Sequence, residues 1–131
     1  VDVIRRNTDY AMRLAAGLVK SYDKSPVSAR VLAEEYDVSY DLACKLLQKL
    51  AAAKLVKSSM GAGGGFELAQ SPEKISLFHI IEAVQGDISL NRCVPNPKIC
   101  PNRPTCGICK RLIDLQGYID NYLKKVMLSD L

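Results

Sequence analysis

The chain has 131 residues, 48% of them apolar, and a formal net charge of +4. That composition suits one domain with a core, or one domain with a long appended helix, and excludes a disordered tail. No run approaches the roughly 18 consecutive apolar residues of a membrane span, the opening Val1-Asp2-Val3-Ile4-Arg5-Arg6 lacks the apolar run of a signal peptide, and the mild basicity permits a polyanionic partner without demanding one. A cytoplasmic protein with reduced thiols is expected.

Thr8 to Tyr22 reads as the first helix, with Thr8 as its N-cap. Tyr10, Ala11, Leu14, Ala15, Leu18 and Val19 recur at helical spacing and form a core-facing stripe. Asp9 suits the positive end of the helix dipole, and Arg5 and Arg6 are either solvated or in reach of a phosphate. Ser28 caps a second helix with Val31, Leu32 and Tyr36 as its apolar positions. Asp37-Val38-Ser39 makes a turn, and Ser39 caps a third helix running to about Ala53. In that third helix Leu42, Ala43, Leu46, Leu47 and Leu50 share one face. Asp41, Cys44, Lys45 and Gln48 share the opposite one, with Tyr40 and Lys49 on its flanks. Two short helices about a tight turn, the second with a polar and cationic outer face, suit a helix-turn-helix.

Lys54 to Ser58 reads as a strand, Ser59-Met60-Gly61-Ala62-Gly63-Gly64-Gly65 as a glycine tip, and Phe66 to Ala69 as the returning strand. Helix, turn, helix and hairpin is the winged-helix order. A nucleotide-binding loop is disfavoured, because such a loop opens a helix and carries Gly-Lys-Ser/Thr, whereas these glycines join two strands. On this reading Ser39, Tyr40, Asp41, Lys45 and Gln48 face the major groove of double-stranded DNA, with Lys49 at the flank. Lys54, Lys57, Ser59, Gly63 and Gly64 face phosphate or the minor groove. Ser76 caps a fourth helix that contains Leu77, Phe78, Ile80, Ile81 and Val84 and ends at Gly86. The lone His79 within it reads as a core or surface residue rather than a metal ligand, and no paired acid–base set points to an enzyme.

Between Arg92 and Lys110 lie Cys93, Cys100, Cys106 and Cys109, four of the five cysteines, and four of the six prolines. Proline fixes φ and removes donors, so the segment is a stiff loop presenting thiols. The spacing C-x6-C-x5-C-x2-C admits an iron–sulfur cluster, a four-cysteine zinc site, a dithiol redox switch through Cys106 and Cys109, or disulfides. Only Cys106 and Cys109 form the tight knuckle usual for zinc, and a cluster tolerates looser spacing. Lys110 to Leu128 then reads as a long helix. Its seam is Leu112, Leu115, Ile119, Tyr122 or Leu123, and Val126, suited to a partner helix across a two-fold axis.

Thr8-Asp9-Tyr10-Ala11-Met12-Arg13, Leu55-Val56-Lys57-Ser58, the wing Gly61 to Leu68 and the closing Val126-Met127-Leu128-Ser129-Asp130-Leu131 together resemble the Rrf-type family of IscR-like and NsrR-like winged-helix regulators. The resemblance implies a mainly α homodimer with a hairpin wing, crossed by the C-terminal helix. It also implies regulation of transcription through a palindromic operator and an iron–sulfur cluster (2Fe-2S or 4Fe-4S) that senses iron, redox state or nitric oxide. It makes Cys93, Cys100 and Cys106 ligands. Two candidates exist for the fourth. Cys109 stands where IscR-like members have a histidine, and Asp9 matches the aspartate that NsrR-like members donate from the other subunit. The implied organisation is a DNA-binding domain over 1–86, a cluster-binding loop over 87–109 and a dimerisation helix over 110–131. Two departures stand out: Met60 and Ala62 replace the Arg and Pro of family wings, and Cys44 lies among polar positions of the recognition helix.

Overall fold

A computed structural model describes residues 2–96 and 105–131. Five α-helices and one antiparallel hairpin make up the described fold: α1 (Arg6–Gly17), α2 (Ala29–Glu35), α3 (Tyr40–Ala52), β1 (Val56–Ser59), β2 (Gly65–Leu68), α4 (Leu77–Val84) and α5 (Gly107–Lys125). The expected class, mainly helical with a small wing, is what is observed.

The helix-turn-helix is built from local chemistry. The hydroxyls of Ser28 and Ser39 accept from the backbone N–H groups of Val31 at 3.2 Å and Leu42 at 3.3 Å, capping α2 and α3 as expected. Each of these helices ends on a left-handed residue, Asp37 at φ 54° and Lys54 at φ 63°. The N–H of Val38 then reaches the Ala33 carbonyl at 2.9 Å, and that of Leu55 reaches the Leu50 carbonyl at 3.0 Å. Paired with the bonds from Asp37 to Glu34 and from Lys54 to Ala51, these are Schellman closures. The first sets the turn between α2 and α3. The second throws the chain into the hairpin, so Lys54 belongs to the helix ending rather than to a strand.

Ala43, Leu46, Leu47 and Leu50 of α3 are buried with Leu14 of α1, Leu18 just after it, Leu32 of α2 and Ile80 of α4 in one core. Of the apolar positions expected on α2, Leu32 is buried whereas Val31 is exposed. A second, smaller core joins Ile81 and Ile88 to Leu123 of α5, with Ile4, Met12, Phe78 and Ile119 packed around it. β1 pairs β2 from Val56–Leu68 to Ser59–Gly65. Val27 extends the ladder by exchanging bonds with Phe66, at 2.8 Å and 2.7 Å. The C-terminal segment closes the fold by pairing back. Leu77 N–H donates to the Val126 carbonyl, and Leu128 N–H to that of Ile75, both at 2.9 Å.

Three expectations are corrected. Thr8 does not cap α1, which begins two residues earlier. Thr8 is fully buried, and its hydroxyl donates to Gln85 Oε1 at 2.8 Å. α1 also stops at Gly17 rather than Tyr22, because the N–H groups of Leu18 and Val19 turn back three residues to Ala15 and Ala16 and tighten the last turn. The long helix spans Gly107–Lys125, three residues earlier than expected at each end, which brings Cys109 into its first turn.

Gly65 has φ 152°, and a side-chain carbon there would run into the Val27 backbone. A Gly65→Ala substitution is expected to destabilise the domain by about 1–3 kcal/mol, since it forces both backbone strain and loss of the Val27 pairing. Urea unfolding against the parent protein measures this.

Candidate nucleic-acid interface and thiol loop

The inner face of α3 is fixed by four buried residues, so its outer face is fixed as well. Ser39, Tyr40, Asp41, Lys45, Gln48 and Lys49 are all exposed on it. Asp41 lies in the first turn and Lys49 in the last, each favourable to the helix dipole. Lys49 also has an intramolecular task. Its ammonium donates to the Val84 carbonyl at the C-terminus of α4, at 3.4 Å. Cys44 is half-buried and packs against the main core, so it is not on the fully polar face where helical spacing had put it.

Tyr40 anchors the N-terminal end of this face. The guanidinium of Arg30, from α2, lies 4.5 Å from the centre of its ring. Cys44, one turn further along, holds the Tyr40 phenol above its usual pKa through a hydrogen bond first and charge second. The Arg30 charge acts in the opposite direction. Sequence reasoning missed Arg30. The available signal was its place on α2 opposite the apolar Ala29, Leu32 and Ala33.

At the wing, Lys57, Ser59 and Gly63 are exposed and Gly64 is half-buried. Lys57 pairs with Glu67 across the strands at 3.4 Å, so part of its charge is spent locally. Lys54 is exposed and its carbonyl accepts from Gln70 Nε2 at 3.0 Å. Met60 stands 97% exposed at the tip, an apolar group where an electrostatic anchor is usual. A carbon on Gly64 would collide with the Ser59 carbonyl, so that glycine is required by the turn itself.

Three of the four loop thiols, Cys93, Cys106 and Cys109, flank residues 97–104. Cys93 is half-buried in the turn that follows α4, and Cys106 is the half-buried N-cap of α5, with no side-chain bond to the helix. Cys109 is only 4% exposed and shares the inward face of α5 with Leu112, Gln116 and Leu123. Cys100 falls among residues 97–104, outside the described residues. Among the described residues no three Cys, His, Asp or Glu side chains converge on one point. As a donor set the loop thiols suit a thiophilic iron or zinc centre. Asp9, half-buried on α1, is bound to Arg13 at 2.9 Å. His79 is exposed, and its Nδ1 accepts from the Ser76 N–H at 3.2 Å within a capping box.

Two polar residues, neither anticipated, bind segments distant in sequence: one ties the N-terminal arm to the end of α4, the other ties the segment after α4 to α5. Gln85, directly after α4, accepts from the Arg5 N–H at 2.9 Å and the Thr8 hydroxyl, and donates to the Val3 carbonyl at 2.9 Å. Gln116, buried on α5, accepts from the Leu90 N–H at 3.1 Å and donates to Asp120 at 2.9 Å. The expected helical seam of α5 divides between two faces. Leu112, Ile119 and Leu123 turn toward their own domain. Leu115 and Tyr122 are exposed beside Ile108 and Tyr118, giving an apolar stripe on the outer flank.

The fold and this outer face define a winged-helix DNA-binding protein. The family described as Rrf2, iron-dependent transcriptional regulator, matches residues 4–131, and the chain belongs to it. It is 31% identical over 93% of its length to a putative HTH-type transcriptional regulator of Haemophilus influenzae, covering 81% of that protein. It is 28% identical over 95% of its length to the HTH-type transcriptional repressor NsrR of Streptomyces coelicolor, covering 84% of it. The structure of CymR (YrzC), the global cysteine regulator of B. subtilis, superposes with a TM-score of 0.81 at 24% identity, covering 97% of this chain and 93% of that one. That likeness confirms the fold. The protein is therefore a transcriptional regulator and not an enzyme. Among the described residues no helix is long and apolar enough to cross a membrane.

Lys45 and Lys49 separate by experiment. Lys45→Ala is expected to weaken DNA binding with stability unchanged within about 0.5 kcal/mol. Lys49→Ala is expected to cost up to about 1 kcal/mol, because the Val84 carbonyl loses a charged donor. Urea unfolding and fluorescence anisotropy on a labelled duplex measure the two effects.

Proposed function

We propose that the protein is a dimeric regulator whose hold on a palindromic operator responds to an iron–sulfur cluster carried by the 87–109 loop. Residues 1–86 act as the DNA-binding head and 110–131 as the dimerisation helix, and the whole works in the cytoplasm. The observation that carries this reading is the junction after α4. The chain leaves α4 at Val84-Gln85-Gly86 and reaches Cys93 a few residues later, while Lys49 of the recognition helix and the start of α1 are both bonded to that same junction. A change in the thiol loop thus has a short mechanical route to α3.

Cys93, Cys100 and Cys106 would hold the cluster, with either Cys109 or Asp9 of the partner subunit as fourth ligand. The family description as iron-dependent, together with the resemblance to IscR-like and NsrR-like regulators, supports a cluster over zinc. Bound there, a cluster supplies a group whose stability depends on iron, oxidants and nitric oxide. The chain does the rest. Gln85 fixes α1 against α4, Gln116 holds Leu90 on α5, and the exposed Ile108, Leu115, Tyr118 and Tyr122 stripe offers α5 a second copy to pack against. Half-sites lie about one helical turn, ~34 Å, apart, so a small change in the spacing of two α3 helices penalises simultaneous contact.

Anaerobic purification is expected to yield a brown protein with visible absorption, and operator affinity is expected to track cluster occupancy. A colourless zinc-loaded protein supports a structural zinc site instead, and equal affinity of loaded and apo forms removes the switch while leaving DNA binding intact. Cys109→Ala and Asp9→Ala identify the fourth ligand. The Asp9–Arg13 pair is substantially exposed, so breaking it is expected to cost under about 1 kcal/mol, and a loss of iron from that variant reports ligation rather than misfolding. Charge in the stripe, as Tyr118→Glu with Tyr122→Glu, is expected to convert a dimer to a monomer by sedimentation.

A further inference from the structure

Arg30 occupies an unusual place in the helix-turn-helix. It belongs to α2, yet its guanidinium rests on the ring of Tyr40, the first residue of α3, at 4.5 Å. It makes no ion pair among the described residues. Tyr40 itself remains 45% exposed. The arrangement pins a normally mobile cation to the leading edge of the recognition helix.

A guanidinium stacked on a ring uses its face and keeps its in-plane N–H donors for other partners. Five such donors in a planar fork match the paired oxygens of a phosphate. The first helix of a helix-turn-helix crosses the nucleic-acid backbone while the second lies in the groove. A cation that reaches from the first helix to the N-terminal residue of the second therefore sits where groove and backbone meet. Stacking also restricts its rotamers before binding, so less side-chain entropy is lost on contact.

We propose that Arg30, pre-positioned by stacking on Tyr40, is a DNA-phosphate contact that registers the recognition helix in the groove. It rests on the DNA-binding function alone and does not depend on what the thiol loop holds. The contact is to the backbone, so it supplies affinity and register to any duplex rather than sequence preference.

The test is the salt dependence of binding to a mixed-sequence duplex, read by fluorescence anisotropy of the full chain between about 50 and 200 mM KCl. Arg30→Ala is expected to lower the magnitude of the log K against log salt slope by about 0.9 for each Arg30 in the complex. That is roughly an eightfold loss of affinity per contact near 0.1 M salt. Lys125→Ala, an equal change of charge at the far end of α5, is expected to leave the slope unchanged. Tyr40→Leu is expected to weaken binding markedly in the parent protein and much less in the Arg30→Ala background, because the platform matters only while the cation is present. Circular dichroism confirms that each variant is folded. An unchanged slope in Arg30→Ala, an equal fall in Lys125→Ala, or identical Tyr40→Leu losses in both backgrounds overturns the proposal. A parent protein with no salt-dependent duplex binding removes the DNA-binding function itself, a result distinct from all three.

Discussion

Burial of one face of α3 is the constraint from which the rest follows. Ala43, Leu46, Leu47 and Leu50 are each at most 2% exposed, and the helix packs against α1, α2, α4 and β1 at once. Full burial of a leucine side chain is worth roughly 1.5–3 kcal/mol, so rotating α3 about its axis would sacrifice several such contacts together. The outer face therefore has one orientation. The caps at Ser28 and Ser39 and the left-handed endings at Asp37 and Lys54 deliver the chain into and out of that face without spending core volume on the turns.

A second, weaker set of interactions gathers at the end of α4. The end of α4 is where three parts of the chain meet: the recognition helix through Lys49, the N-terminal arm through Gln85, and the thiol loop by direct continuation. These are polar and partly exposed contacts, each worth far less than a buried leucine. They are thus weaker than the packing of the main core beside them. The small core of Ile81, Ile88 and Leu123 lies under the same joint, so α5 and the loop share one support.

Much of this was legible in the sequence, and the failures have physical causes. The apolar period of α3, the serine caps at Ser28, Ser39 and Ser76 and the glycine tip of the wing are local signals, and local signals sufficed. Thr8 looks like an N-cap, but its hydroxyl donates to Gln85, 77 positions away, and the same Gln85 oxygen accepts from the N–H of Arg5, the residue before the helix. The seam of α5 was half right for a related reason. Heptad spacing marks an apolar band, but the band spans two adjacent faces, and only tertiary packing decides that Leu112, Ile119 and Leu123 turn inward while Leu115 and Tyr122 stay out. Cys44 was placed outward by its angle, but it lies at the margin of the buried face, where a small side chain still reaches the core. Arg30 and Lys49 look like ordinary solvated cations in sequence, and only the fold brings them to Tyr40 and Val84. Of the thiol site, the sequence supplied the donor types.

The bridge between Ser76 and Met127 makes the chain from α4 to the end of α5 a closed circuit. Both ends of that circuit are anchored to the main core, through Ile75 and Leu128. A helix tethered at only one end can dissipate a disturbance by swinging or fraying. A helix held at both ends has neither freedom, so the fold itself, and not a partner, sets the outward facing of Ile108, Leu115, Tyr118 and Tyr122.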